Sequence, residues 1–131
     1  MRKALSLFLI VFVLLALCAC GGTNLNESAK VKLHFVYKED DIHVTLTEEE
    51  ATKVVEILEG REYQSRFAGI PMCGFDPDIS LQVGLVKYAV ACDMCNNLQD
   101  FGRLKFCSVP EEDMAYIRSL FEKYGGYFPC N

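Results

Sequence analysis

The chain has 131 residues, 51% of them hydrophobic and 24% charged, with a formal net charge of −5. That length suits one domain with a core of its own. The acidic balance argues against a nucleic-acid partner and against a grip on anionic lipid through basic residues.

Reading from the N-terminus, Met1-Arg2-Lys3 is a short positive start, and residues 4–17 form an almost unbroken apolar run. The run ends in Leu17-Cys18-Ala19-Cys20-Gly21-Gly22. Charge, apolar core and a small residue before the cut are the layout of a secretory signal peptide. A retained membrane helix needs roughly 20 apolar residues, and this run is shorter.

Leu17-Cys18-Ala19-Cys20 resembles the lipobox of bacterial lipoproteins. The resemblance implies that the Cys20 thiol carries a diacylglycerol, with palmitate-type acyl chains, and that residues 1–19 are removed as a signal peptide. Cys20 is the better acceptor because small Ala19 precedes it, whereas bulky Leu17 precedes Cys18. Loss of Arg2 and Lys3 with the leader takes the net charge from −5 to −7. Acyl chains then do the membrane binding, at roughly 0.8 kcal/mol per buried CH₂. Residues 20–30 read as the lipidated Cys and a flexible tether rich in Gly, Asn and Ser. Its typical reach is roughly 15–20 Å, which holds a single domain over residues 31–131 close to the extracytoplasmic side of the cell membrane.

Within that domain Val31, Leu33, Phe35 and Tyr37 alternate with Lys32, His34, Val36 and Lys38, and Ile42, Val44 and Leu46 continue the pattern. Period two predicts strands. A two-residue turn at Asp40-Asp41 pairs Tyr37 with Val44 and Phe35 with Leu46, keeping the apolar set on one face. Thr47-Glu48-Glu49-Glu50 has the spacing of a capping box, and Ala51, Val54, Val55 and Leu58 form a helical stripe that Gly60 ends. From Arg61 to Asp78, with Gly69, Pro71, Gly74 and Pro77, no period is sustained, and the segment reads as a long loop. Ile79–Val83 and Val86–Cys92 read as strands, Cys92–Asn97 as a tight turn, and Leu98–Phe101 and Leu104–Ser108 as two further short strands. Ser108-Val109-Pro110-Glu111 opens a second helix with Met114, Ile117, Phe121 and Tyr124 as its stripe and Gly125 as its stop. The order ββ-α-ββ(ββ)-α predicts an α+β domain: an antiparallel sheet of four to six strands with two helices packed on one face, after an N-terminal signal helix. The stretch from Cys73-Gly-Phe-Asp-Pro-Asp through Cys92-Asp-Met-Cys95 to Tyr124-Gly-Gly-Tyr-Phe-Pro-Cys130 resembles uncharacterised small Cys-containing lipoproteins of Gram-positive bacteria. It covers about half of the chain and implies no activity.

Beyond Cys20 come Cys73, Cys92, Cys95, Cys107 and Cys130. Outside the cytoplasm such thiols oxidise, so Cys73, Cys92, Cys95 and Cys130 are disulfide candidates and one of the five is left over. A Cys73–Cys130 bond would tie the frayed C-terminal end to the long loop. Cys92-x-x-Cys95 is also the spacing of a dithiol redox centre, but no amphipathic helix, His or Lys stands beside it to activate a thiolate, so a structural role is expected. Structural zinc would need two more close-spaced ligands, and no second pair exists; the expectation is no cofactor and no metal.

His34 and His43 lie on polar faces and, in the register above, not opposite one another; they read as solvated surface residues. Asp76 and Asp78 read as turn formers around Pro77. No Ser-His-Asp order, GxSxG, HExxH or phosphate loop occurs. The expected function is a non-enzymatic binding or envelope-accessory module with an extracytoplasmic protein or small-ligand partner and no nucleic acid; thiol-disulfide exchange at Cys92 and Cys95 is the alternative. Phe67, Ile70, Met72 and Phe75 in the long loop are the expected partner contacts.

Overall fold

The computed structural model describes residues 30–65, 73–125 and 128. Alternation builds its first strand: β1 (Val31–Tyr37) turns Val31, Leu33 and Phe35 inward, all fully buried, and Lys32, His34 and Val36 to the other face. β2 (Asp40–Thr45) returns antiparallel and pairs Tyr37 with Asp40, Phe35 with Ile42 and Leu33 with Val44. The hairpin turn is therefore Lys38-Glu39, with Lys38 at a left-handed φ of 55°, and not Asp40-Asp41. The two registers differ by an even shift, so both keep the apolar residues on one face and a period-two pattern does not discriminate between them. The observed register leaves Leu46 beyond the strand, buried, with its N–H donating to the Val31 carbonyl at 2.9 Å. That also pairs β1 almost from end to end, which outweighs the roughly 1–2 kcal/mol cost of a left-handed non-glycine residue.

Helix α1 (Glu48–Leu58) starts as its sequence requires: the Glu50 N–H donates to Thr47 Oγ1, and the Thr47 N–H donates back to the Glu50 carboxylate at 2.9 Å. Ala51, Val54, Val55, Ile57 and Leu58 are buried, and Gly60 leaves the helix at φ 69°. After α1 come β3 (Gln64–Ser65), β4 (Phe75–Val83), β5 (Val86–Ala91), β6 (Asn97–Asp100), β7 (Lys105–Ser108) and α2 (Glu111–Gly125).

The strands form one antiparallel sheet in the order β2-β1-β4-β5-β6-β7-β3. Seven strands exceed the four to six expected, because β3 and the first residues of β4 lie inside the segment read as a loop. A two-residue strand has no period to detect, and β4 is irregular between Phe75 and Ser80, where Asp76, Pro77 and Asp78 sit.

Inward residues of β1, β4, β5, β6 and β7 join the apolar stripes of both helices in one core, so both helices cover one face of the sheet. Phe121 of α2 meets Phe35 of β1 edge-on at 5.5 Å between ring centres and Phe128 at 5.6 Å. Two polar ties set the helices antiparallel. At the start of α1, Glu50 binds Lys123 and Tyr124 near the end of α2; beyond the end of α1, Arg61 binds Asp113 in the first turn of α2 at 2.7 Å. Among the described residues no helix is long and apolar enough to cross a membrane.

Candidate functional site

A broad groove of about 1180 Å³ runs between the helices, with Glu48, Glu49 and Glu56 among its lining residues. Glu50, only 8% exposed, lies at the groove and is fully engaged. Its Oε1 accepts from Lys123 Nζ at 2.7 Å, and its Oε2 accepts from the Tyr124 hydroxyl at 2.7 Å and from Thr47. Burial raises the pKa of such a carboxyl, but the hydrogen bonds from Lys123, Tyr124 and Thr47 outweigh it and bring Glu50 down to about 2. A carboxylate held ionised by four donors is a brace between two helices, not a general base.

The cysteines organise a second loop, against α2. Cys73 is bonded to Cys95, with 5.9 Å between Cα atoms, so neither a Cys73–Cys130 bond nor a local Cys92–Cys95 bond forms. Cys92 is disulfide-bonded as well, and Cys130 lies outside the described residues. The reason is geometric: β4 and β5 are neighbours, the Cys92 N–H donates to the Gly74 carbonyl at 2.8 Å, and this brings residue 73 beside the 92–95 turn. Asp93 locks that turn by accepting from the N–H groups of Gly74 (2.9 Å) and Cys95 (3.0 Å), contacts that hold its carboxyl below the ordinary value. From α2, Arg118 Nη2 donates to the Asp93 carbonyl at 2.7 Å and to those of Cys95 and Ala91 at longer range, while its guanidinium lies over the Phe128 ring. Both sulfurs of Cys92-x-x-Cys95 are thus in disulfides, and the two are not joined to each other.

Cys107 is the free cysteine among the described residues, 1% exposed on β7. Burial pushes its thiol pKa up, against a hydrogen bond with Tyr63 that lowers it. It should therefore resist alkylation in the folded protein and react only on opening; a thiol reagent followed by mass spectrometry, with and without urea, measures this. Rapid labelling of the native chain would contradict the burial.

Of the expected partner contacts, Phe67, Ile70 and Met72 lie outside the described residues, and Phe75 opens β4 half-buried, paired with Ala91. Asp76 accepts from the Asp78 N–H at 2.9 Å, the local turn expected of that pair.

The hairpin register brings together what the sequence separated. His34 and His43 are direct cross-strand partners on the outer face of β1 and β2, their rings stacked 4.4 Å apart and within 6° of parallel. Asp41, two residues before His43, points its carboxylate at both: Oδ1 is 2.7 Å from His34 Nε2 and 3.3 Å from His43 Nε2. The His34 hydrogen bond, with help from His43, holds the Asp41 carboxyl below its ordinary value against the opposing effect of desolvation. Sequence spacing alone would have found this cluster had the turn been placed one residue pair earlier.

The fold and these sites define an α+β domain with a disulfide-braced loop at one place and a two-histidine, one-aspartate cluster on its edge hairpin. Comparison with protein-family models, with curated proteins and with solved structures finds no match.

Proposed function

We propose that the chain is a lipid-anchored extracytoplasmic lipoprotein that serves as a non-enzymatic binding or envelope-accessory module. The observation that carries this reading is the leader, charged and then apolar, ending in Leu17-Cys18-Ala19-Cys20. The Cys73–Cys95 disulfide supports it, since such bonds persist in oxidising compartments and are rare in the cytosol. At Lys30 the backbone carbonyl accepts from the Gly84 N–H in the β4–β5 turn, and Leu85 beside Gly84 is fully exposed. Leu85 is thus an exposed apolar group next to the residue that bonds Lys30.

Expression of the full chain in bacteria with labelled palmitate tests the anchor. Label should enter the wild-type protein and its Cys18→Ser variant, and the mature N-terminus should be a lipid-modified Cys20 by mass spectrometry. Cys20→Ser should carry no label and retain its leader. Label that survives Cys20→Ser would remove the lipidation site and, with it, the proposed address.

A further inference from the structure

We propose that His34, Asp41 and His43 form a binding site for one borderline divalent metal ion such as Zn²⁺, with a fourth coordination position open to solvent. The proposal goes beyond membrane attachment and does not depend on it. Imidazole and carboxylate together suit Zn²⁺, Cu²⁺, Ni²⁺ and Co²⁺ rather than Mg²⁺ or Ca²⁺, which take oxygen ligands.

The geometry fits without rebuilding the backbone. The three donor atoms all lie within 4.8 Å of one another. At metal–ligand distances of about 2.0–2.1 Å, tetrahedral ligands sit about 3.3 Å apart. Of the two nitrogen-to-oxygen distances present, 3.3 Å matches that value and 2.7 Å lies below it. Because imidazole lone pairs lie in the ring planes, binding requires the stacked rings to unstack, by rotation of the His43 and Asp41 side chains, both 62% exposed, about their own bonds. The ligands sit on paired strands of a seven-stranded sheet, so their Cα positions are held by the β1–β2 ladder and not by a mobile loop.

Two further features favour the same use. β2 is the edge strand, which leaves the cluster accessible to an ion from solvent. On the other side of His34 its cross-strand neighbour is Ser80, 1% exposed, whose hydroxyl has no hydrogen-bond partner. Metal-ligating histidines donate their second ring N–H to an acceptor that fixes the tautomer, and the Ser80 hydroxyl is an acceptor without a present bond, next in line to His34. On loading, Nε2 of His34 gives up the hydrogen bond to Asp41 and binds the metal through its lone pair: a neutral ring then carries its one N–H on Nδ1, and a protonated ring keeps Nδ1–H and releases the Nε2 proton to solvent. The bound ion replaces hydrogen bonding in the cluster, and its open position can take a donor atom from a second molecule.

Titration of Zn²⁺ alone into the untagged, oxidised full chain in detergent micelles near neutral pH, against a competing chromophoric chelator, tests the site. One ion per chain should bind. His34→Ala, Asp41→Ala and His43→Ala should each weaken binding at least about tenfold, because even loss of partners beyond the ligands costs about 10–100-fold. Cys107→Ser should leave affinity unchanged. The ¹⁵N resonances of both imidazoles should shift on Zn²⁺ addition, a response that a surface hydrogen-bond cluster does not give. His43, 62% exposed on an edge strand, is the variant least able to disturb folding, and an unchanged urea midpoint checks this. Absence of binding to the wild-type chain, or equal binding to His43→Ala, overturns the proposal.

Discussion

Glu50→Ala should destabilise the domain by about 3 kcal/mol, read from urea or thermal unfolding at neutral pH. The loss combines one half of a capping box, about 1 kcal/mol, with charge-assisted hydrogen bonds to Lys123 and Tyr124 worth about 2 kcal/mol after solvent screening. Glu50→Gln separates the two, because glutamine keeps the reciprocal cap and removes the charge. It should retain roughly the first contribution and lose the second. The pH profile identifies the group. Glu50 has a folded pKa of about 2 against an ordinary 4.5, so its stabilisation is complete above about pH 5 and drains as pH falls from there toward 2. Glu50→Gln should flatten that acid limb. At the alkaline end the same network acts with the opposite sign: the hydrogen bonds to Glu50 raise the pKa of Lys123 and of Tyr124, so their contribution holds below their ordinary values and falls as pH rises past them. An acid limb equally steep in Glu50→Gln would mean that other carboxylates carry it.

Removal of the Cys73–Cys95 bond, by paired serine substitution, should cost about 3 kcal/mol. The bond spans a separation of 22 residues, and in the chain-entropy account closing a loop of that length constrains the unfolded state by about 3 kcal/mol. The folded loop should persist, since Asp93 and Arg118 hold it through backbone contacts that need no sulfur. Two measurements decide. Unfolding midpoints of wild type and Cys73→Ser/Cys95→Ser should differ by the amount given, and non-reducing peptide mapping should recover Cys73 joined to Cys95. Recovery of a Cys92–Cys95 peptide instead would restore the dithiol reading that the present pairing opposes.

Much of the fold was legible because the signals were local. The capping box at Thr47-Glu50, the stripe of α1 and the stop at Gly60 rest on neighbours within four residues, and each stands where its spacing requires. The hairpin register did not follow, because alternation is unchanged by an even shift. That single displacement kept His34 and His43 apart on paper and concealed the histidine cluster. The disulfide partner was missed for a related reason: Cys73 and Cys95 meet only because β4 and β5 are adjacent, and spacing within Cys92-x-x-Cys95 says nothing of that.

By itself the sequence determined the α+β class, both helices and the capping box of the first, the inward set of β1 and the leader that motivates a lipid-anchored reading. These depend on periodicity and on short-range hydrogen bonding, which a chain carries before it folds. Tertiary structure alone decided strand order, hairpin register, the Cys73–Cys95 bond, the Glu50 brace and the meeting of His34, Asp41 and His43. Each joins residues through packing of a shared core, where the free energy of the whole arrangement, not any local preference, selects the contact.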